Sequence, residues 1–225
     1  LFWPGALHGF NPSLNLPDIP AINHFLNLDG QQFSKSRWVI IDSKEITEKY
    51  GVDPIRFYLT SIMPEEKDSS FSLADFRAKH NNVLIGNLGN FIQRSLTLAK
   101  SPFFKRTSVG QETEHEVNRF MQTLKESLES TKFKKGLEAI LNLSDFGNKY
   151  LSAKEPWKLS GGPSGEKQRS QIITDCLYIV VALSAMLKPV LPETSAHIST
   201  QTNVSFDRWP EPTELKQGMS KAKLT

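Results

Sequence analysis

A single cysteine, Cys176, stands in the 225-residue chain. It excludes an internal disulfide and any zinc site built on paired thiolates, and a reducing, cytoplasmic setting is the expectation. Long apolar runs are also missing. The longest nearly continuous one, Cys176 to Leu187, has twelve residues, which is too short to span a bilayer and predicts a buried helix, with no membrane partner. The first residues carry neither the basic nor the apolar segment of a secretory signal. The five histidines show no metal-ligand spacing with one another, so no metal site is predicted. No glycine-rich phosphate loop occurs. Excess charge is slight at +3, and that mild basic tilt does not by itself imply nucleic acid. The chain opens on Leu1, directly into LFWPGALHGF, and is expected to be a piece of something longer.

Hydrophobic residues make up 38% of the chain, enough for an ordinary core. Residues 25–33, FLNLDGQQF, alternate apolar and polar around Asp29-Gly30 and predict a hairpin. A short helix is expected from Ser43 to Tyr50, capped by Asp42 or Ser43 and stopped by Gly51. In the next helix Asp53 reads as the cap and Pro54 as the first helical residue. From residue 71 the pattern becomes helical. FSLADF offers Ser72 as N-cap and Phe71 with Phe76 as a hydrophobic staple. Leu73, Phe76, Val83, Leu84, Leu88, Phe91, Ser95 and Leu98 then recur at helical steps, predicting one long amphipathic helix. Further helices are expected around residues 117–128, 133–150 and 167–187, with a loop at 161–166 and a short helix after Pro192. The tail beyond residue 203 is expected to be loose. The fold class is mostly α: an antiparallel helical bundle preceded by a small α/β segment.

Three places invite a chemical reading. Lys35 with Ser34 and Ser36, in QQFSKSRW, could hold a phosphate through one charge and two hydroxyls. Short motifs of this kind also occur in solvated loops, and nothing nearby completes a nucleotide pocket. Asn90 and Arg94 lie about 40° apart around a helix axis, on the flank of the apolar stripe. They are either rim polar groups or an amide and a guanidinium fork offered to base edges. Gly86 and Gly89 cost helix stability, about 1 kcal/mol each relative to alanine, which predicts a close approach of something to the backbone there. Pro156 should end a helix and leave Trp157 at its mouth, as the cover of a core edge or as a stacking platform for an unpaired base. His80 reads as a core-edge residue, and the lysines of KFKK, 132–135, as solvated charge.

Taken in order, LFWPGAL (1–7), DGQQFSKSR (29–37), DPIRFYL (53–59), NLGNFIQR (87–94), FGNKYLSAKEPW (146–157) and LKPVLP (187–192) resemble methionyl-tRNA synthetases, from Leu1 to about His197. The resemblance implies residues 1–70 as the end of a class I catalytic domain with a stem-contact fold, 71–203 as an α-helical anticodon-binding domain, and 204–225 as a tail. It implies a KMSKS-like loop at Gln32, Phe33, Ser34, Lys35 and Ser36, with Lys35 as the catalytic lysine that stabilises charge developing on the phosphates of ATP. The first lysine of that motif is Gln32 here, and a glycine usual two residues past the loop is Trp38. Asn90, Arg94 and Trp157 match the residues that read a CAU anticodon. The implied partners are tRNA(Met) and the upstream catalytic Rossmann half, since the HIGH motif is absent. The implied function is methionine–tRNA ligase, using ATP with Mg2+ in the parent enzyme. The piece alone is expected to bind no ATP and to be inactive. The alternative is a noncatalytic tRNA-binding or protein-interaction module derived from a synthetase.

Overall fold

The computed structural model describes residues 2–18, 20–159 and 162–224. A short helix, α1 (Phe2–Phe10), precedes strands β1 (Leu26–Leu28) and β2 (Gln31–Gln32). The two strands pair antiparallel, as the alternation predicts. Asp29 and Gly30 both take positive φ, 46° and 79°, the conformation a two-residue hairpin turn requires. Strand β3 (Ser69–Phe71) runs parallel to β1, completing a three-stranded sheet in the order β2-β1-β3. Helix α2 (Ser43–Tyr50) starts where the Asp42 carboxylate accepts from the backbone N–H groups of Lys44 and Glu45, and it stops at Gly51. Helix α3 (Val52–Ser61) follows at once. Its Ile55 and Tyr58, with Ile62 just past its end, pack with Phe71 and Phe76 in a small core of their own. There Tyr58 donates to the Asp75 carboxylate at 2.9 Å, and burial above all pushes its phenol up to about 12.

Asp53 corrects its sequence reading. It does not cap α3, because Gly51 is the N-cap and residue 53 already turns inward within the first turn, 4% exposed. Its carboxylate instead accepts from the Thr194 N–H at 2.6 Å and the Thr194 hydroxyl at 2.7 Å. It therefore caps α9 (Pro192–Thr202), 140 residues away in sequence. Arg56, on the same helix, donates to the carbonyls of Val190 (2.8 Å) and Pro189 (2.9 Å). One short helix thus fastens the α/β unit to the bundle.

The long helix expected from Leu73 to Leu98 is continuous but not uniform. It comprises α4 (Leu73–Lys79), a π-helical segment (His80–Gly89) and α5 (Asn90–Ala99). The staple forms, with the Phe71 and Phe76 rings stacked at 6.4 Å, while the Ser72 hydroxyl makes no capping bond. The two glycines of the π segment face its own carbonyls. A Cβ on Gly86 would lie 3.1 Å from the Asn81 carbonyl oxygen, and one on Gly89 would lie 3.4 Å from that of Leu84, in each case the carbonyl five residues back. The close approach expected there is met at Gly86 by the helix's own Asn81 carbonyl rather than by another element, while at Gly89 the contact is an ordinary one. The close approach is at Gly147, where a Cβ would meet the Phe91 ring at 2.4 Å.

The bundle continues with α6 (Gln111–Glu129), α7 (Phe133–Lys154), α8 (Pro163–Leu187) and α9. Of the expected 161–166 loop, Gly161 lies outside the described residues, and the rest belongs to the start of α8, with Gly162 as N-cap and Pro163 as its first residue. Every residue from Ile172 to Leu187 is buried. By length and composition α8 could cross a membrane, yet 94% of its apolar window is buried inside the protein. It is the central helix, and α5, α6, α7 and α9 pack around it. The tail is a second correction. Residues Pro212–Lys221 form α10, opened by a reciprocal capping box between Glu211 and Glu214. Leu215, Met219 and Ala222 are buried in the main core, and Arg106 donates to the carbonyls of Ser220 and Ala222. The four- and three-residue steps between those apolar residues are helical, but they are diluted by the charged residues between them.

Candidate nucleic-acid interface

Asn90 opens α5 directly after the π segment and Arg94 lies one α-turn further on. The next residue after Asn90, Phe91, is fully buried with its ring against Gly147 of α7. That contact lets α5 and α7 approach closely and sets the height of Asn90 and Arg94 along the bundle. Beside it a chain of amides links the π segment, α7 and the start of α5. The Asn87 side-chain oxygen accepts from the Ser144 hydroxyl and from the Asn148 amide, both at 2.9 Å. Asn148 also donates to the Asn87 backbone oxygen at 3.0 Å. The oxygen left on Asn148 faces the Asn90 amide at 3.5 Å. Asn90 itself is exposed.

Helix α7 ends at Lys154 as expected of a Pro156 break. Glu155 takes the left-handed conformation (φ 39°, ψ 60°), and its N–H still bonds the Leu151 carbonyl. Pro156 is buried and Trp157 points outward, 48% exposed. The Arg94 guanidinium lies 5.2 Å from the indole centroid. Such a cation over an exposed ring contributes about 0.5–1 kcal/mol. Asn90, Arg94 and Trp157, from two distant stretches, are therefore brought together at one end of the bundle. They present an amide, a fork of N–H donors and an aromatic face on one surface. An amide and a guanidinium can hydrogen-bond a base edge, and an aromatic face can stack on a base plane.

The Lys35 loop sits on the other unit. Gln32 ends β2, and Ser34 pairs with Val39 through two backbone hydrogen bonds of 3.0 Å, closing a tight turn. Within it the Ser34 and Ser36 hydroxyls lie 3.1 Å apart, and the Arg37 N–H donates to Ser34 Oγ. Phe33 is partly exposed at the rim. Lys35 is exposed and forms no ion pair among the described residues. Trp38 has φ 57°, so it holds the left-handed backbone that a glycine usually supplies.

Residues 105–222 match the family described as the anticodon binding domain of methionyl tRNA ligase. The chain belongs to the methionyl-tRNA ligase family. Residues 1–96 match the class I (M) tRNA synthetases. The methionine–tRNA ligase of Pyrococcus abyssi is 34% identical over 226 residues, which cover 93% of this chain and 31% of that protein. The one from Methanopyrus kandleri is 35% identical over 202 residues, covering 88% and 30%. The chain thus spans about a third of the length of these relatives. A crystal structure of Mycobacterium tuberculosis methionyl-tRNA synthetase bound by methionyl-adenylate superposes with a TM-score of 0.80 at 21% identity. It covers all of this chain and 44% of that one, and it shows the same fold.

In this ligase fold, sequence reading alone missed Asn87, Ser144 and Asn148, whose amide chain underlies Asn90. Their one legible trace is the four-residue step from Ser144 to Asn148, which puts both on one face of α7.

Proposed function

We propose that this chain is the anticodon-reading portion of a methionine–tRNA ligase, together with the last part of its catalytic domain. In the parent reaction, methionine attacks ATP to give methionyl-adenylate and pyrophosphate, and the methionyl group then passes to the tRNA 3′ end. Here Asn90 and Arg94 hydrogen-bond the base edges of a CAU anticodon, and Trp157 stacks on an unpaired base. Lys35 closes over ATP held by the upstream Rossmann half and meets the charge that develops on the phosphates. Its tight turn, paired hydroxyls and free ammonium suit that task, and Trp38 keeps the backbone shape of the loop despite the lost glycine. The upstream half also accounts for the apolar surface near the start of the chain. Phe2, Trp3 and Phe10 are 80%, 74% and 90% exposed, and Ile22 and Phe25 add to them. Apolar surface of that kind marks an interface. The setting is the cytoplasm, where tRNA(Met) is charged.

The observation that carries this reading is the Arg94 guanidinium lying over a half-exposed Trp157 with Asn90 one turn away. Titration of the chain with an RNA hairpin bearing a CAU loop tests it. Trp157→Ala and Arg94→Ala should each weaken binding by roughly 1–3 kcal/mol. If either variant binds as tightly as the wild type, the site assignment fails.

A further inference from the structure

Trp157 lies in a loop anchored at Pro156, which is buried, and at Leu159, which packs against the main core, while the indole between them has little to fix it. The helix has ended, Glu155 is left-handed, and the turn is closed by one backbone bond from the Lys158 N–H to the Glu155 carbonyl and an exposed Lys158–Glu155 ion pair. The indole is half-exposed, so burial does not fix it either. Besides Arg94 over the indole, what reaches the loop backbone from another element is Arg169, in the second turn of α8. Its Nε donates to the Pro156 carbonyl at 2.9 Å, and its Nη2 donates to the Leu159 carbonyl at 2.6 Å. These two acceptors bracket Trp157 and Lys158. A guanidinium can bridge them because it is planar and carries donors in a fixed fork; a lysine ammonium, being a compact point charge on a flexible stem, cannot reproduce that geometry. Arg169 is also partly buried, and these charge-assisted bonds stand in for the water it has lost.

We propose that Arg169 is a positioning residue for anticodon recognition. It touches no RNA. It holds the carbonyls on either side of Trp157, and thereby keeps the indole face-on to Arg94 before any base arrives. A binding surface ordered in advance spares the complex the cost of ordering it, and that saving appears as affinity. This proposal rests on the anticodon-reading role of Asn90, Arg94 and Trp157.

The test has an arm without RNA and an arm with it, both on the full 225-residue chain. In nitrogen–proton NMR spectra, Trp157→Ala assigns the Trp157 indole N–H among those of Trp3, Trp38 and Trp209. Arg169→Met, which keeps the apolar stem, should shift or broaden that signal and leave the other three in place. With a CAU hairpin as probe, Arg169→Met should weaken binding about tenfold, and Arg169→Lys should restore less than about half of that loss on a logarithmic scale. In a Trp157→Ala background the same substitution should change affinity by no more than about twofold, because its effect runs through the indole. An unmoved Trp157 signal overturns the proposal, as does an unchanged affinity. So do additive losses in the double variant, which would mean that Arg169 meets the RNA itself. Should Arg169→Met fail to fold, Arg169→Lys carries both arms. If Trp157→Ala alone binds as wild type, the anticodon reading falls and takes the proposal with it; the other outcomes overturn the proposal alone.

Discussion

Trp38 is held at φ 57° with 83% of its surface exposed. A left-handed conformation costs an L-residue roughly 1–2 kcal/mol, and an exposed indole gains little burial to offset it. Glycine would remove that strain and lose about 0.5–1 kcal/mol to the freedom of the unfolded chain. Trp38→Gly should therefore leave stability unchanged or raise it by up to about 1.5 kcal/mol, where most exposed substitutions to glycine lower it. Urea unfolding measures this, and a loss of about 1 kcal/mol or more would show that the indole makes a stabilising contact. At this scale the sequence was most legible where the chemistry is local. Lys35, Asn90, Arg94 and Trp157 each sit in a short stretch with a helix period, a turn or a proline to place them. Arg169 and Asn148 act across the fold, through backbone carbonyls and a side-chain amide, and nothing in their own neighbourhoods announces the partner. Asp53 misled for the same reason. A carboxylate beside a proline looks like a local cap, and its true partner is the start of α9.

The packing of α5 on α7 turns on one missing methyl group. Gly147 faces the Phe91 ring, and an added Cβ would come within 2.4–2.9 Å of three of its carbons. The ring is fully buried, so it has no solvent to swing into. Gly147→Ala should cost about 1–3 kcal/mol by overpacking, against the small gain alanine normally brings to a helix. A thermal melt checks this, and an unchanged or raised midpoint would mean that the two helices separate freely. Because Asn90 adjoins Phe91, the same variant should also lose affinity for a CAU hairpin. Helix periodicity located α5 and α7 but not the π segment between α4 and α5. The apolar residues of 73–98 satisfy a 3.6-residue repeat closely enough to hide it, and the carbonyl-to-glycine distances that reveal it are three-dimensional facts. The tail helix α10 was hidden differently, its few apolar positions lying among charged ones.

The whole molecule has two cores, one in the α/β unit and one around α8, and they are linked by hydrogen bonds as well as by chain. Asp53 and Arg56 fasten α3 to the turn and helix that follow α8. In the proposed function, such links keep an anticodon held at one end of the bundle in register with the Lys35 loop on the other unit. The two-part order, a small α/β segment and then a helical bundle, was readable from the switch in hydrophobic period near residue 71. The cross-links between the parts were not, because they join residues more than 130 positions apart. The central claim is that the bundle end reads bases and does not merely attract phosphate. Its most direct test is the affinity of the wild-type chain for RNA hairpins of identical stem whose loops differ by one anticodon base. The account predicts that the CAU loop binds about tenfold or more tightly than each single-base variant, at a salt concentration that suppresses nonspecific attraction. Equal affinity for every loop, falling steeply with salt, would contradict it.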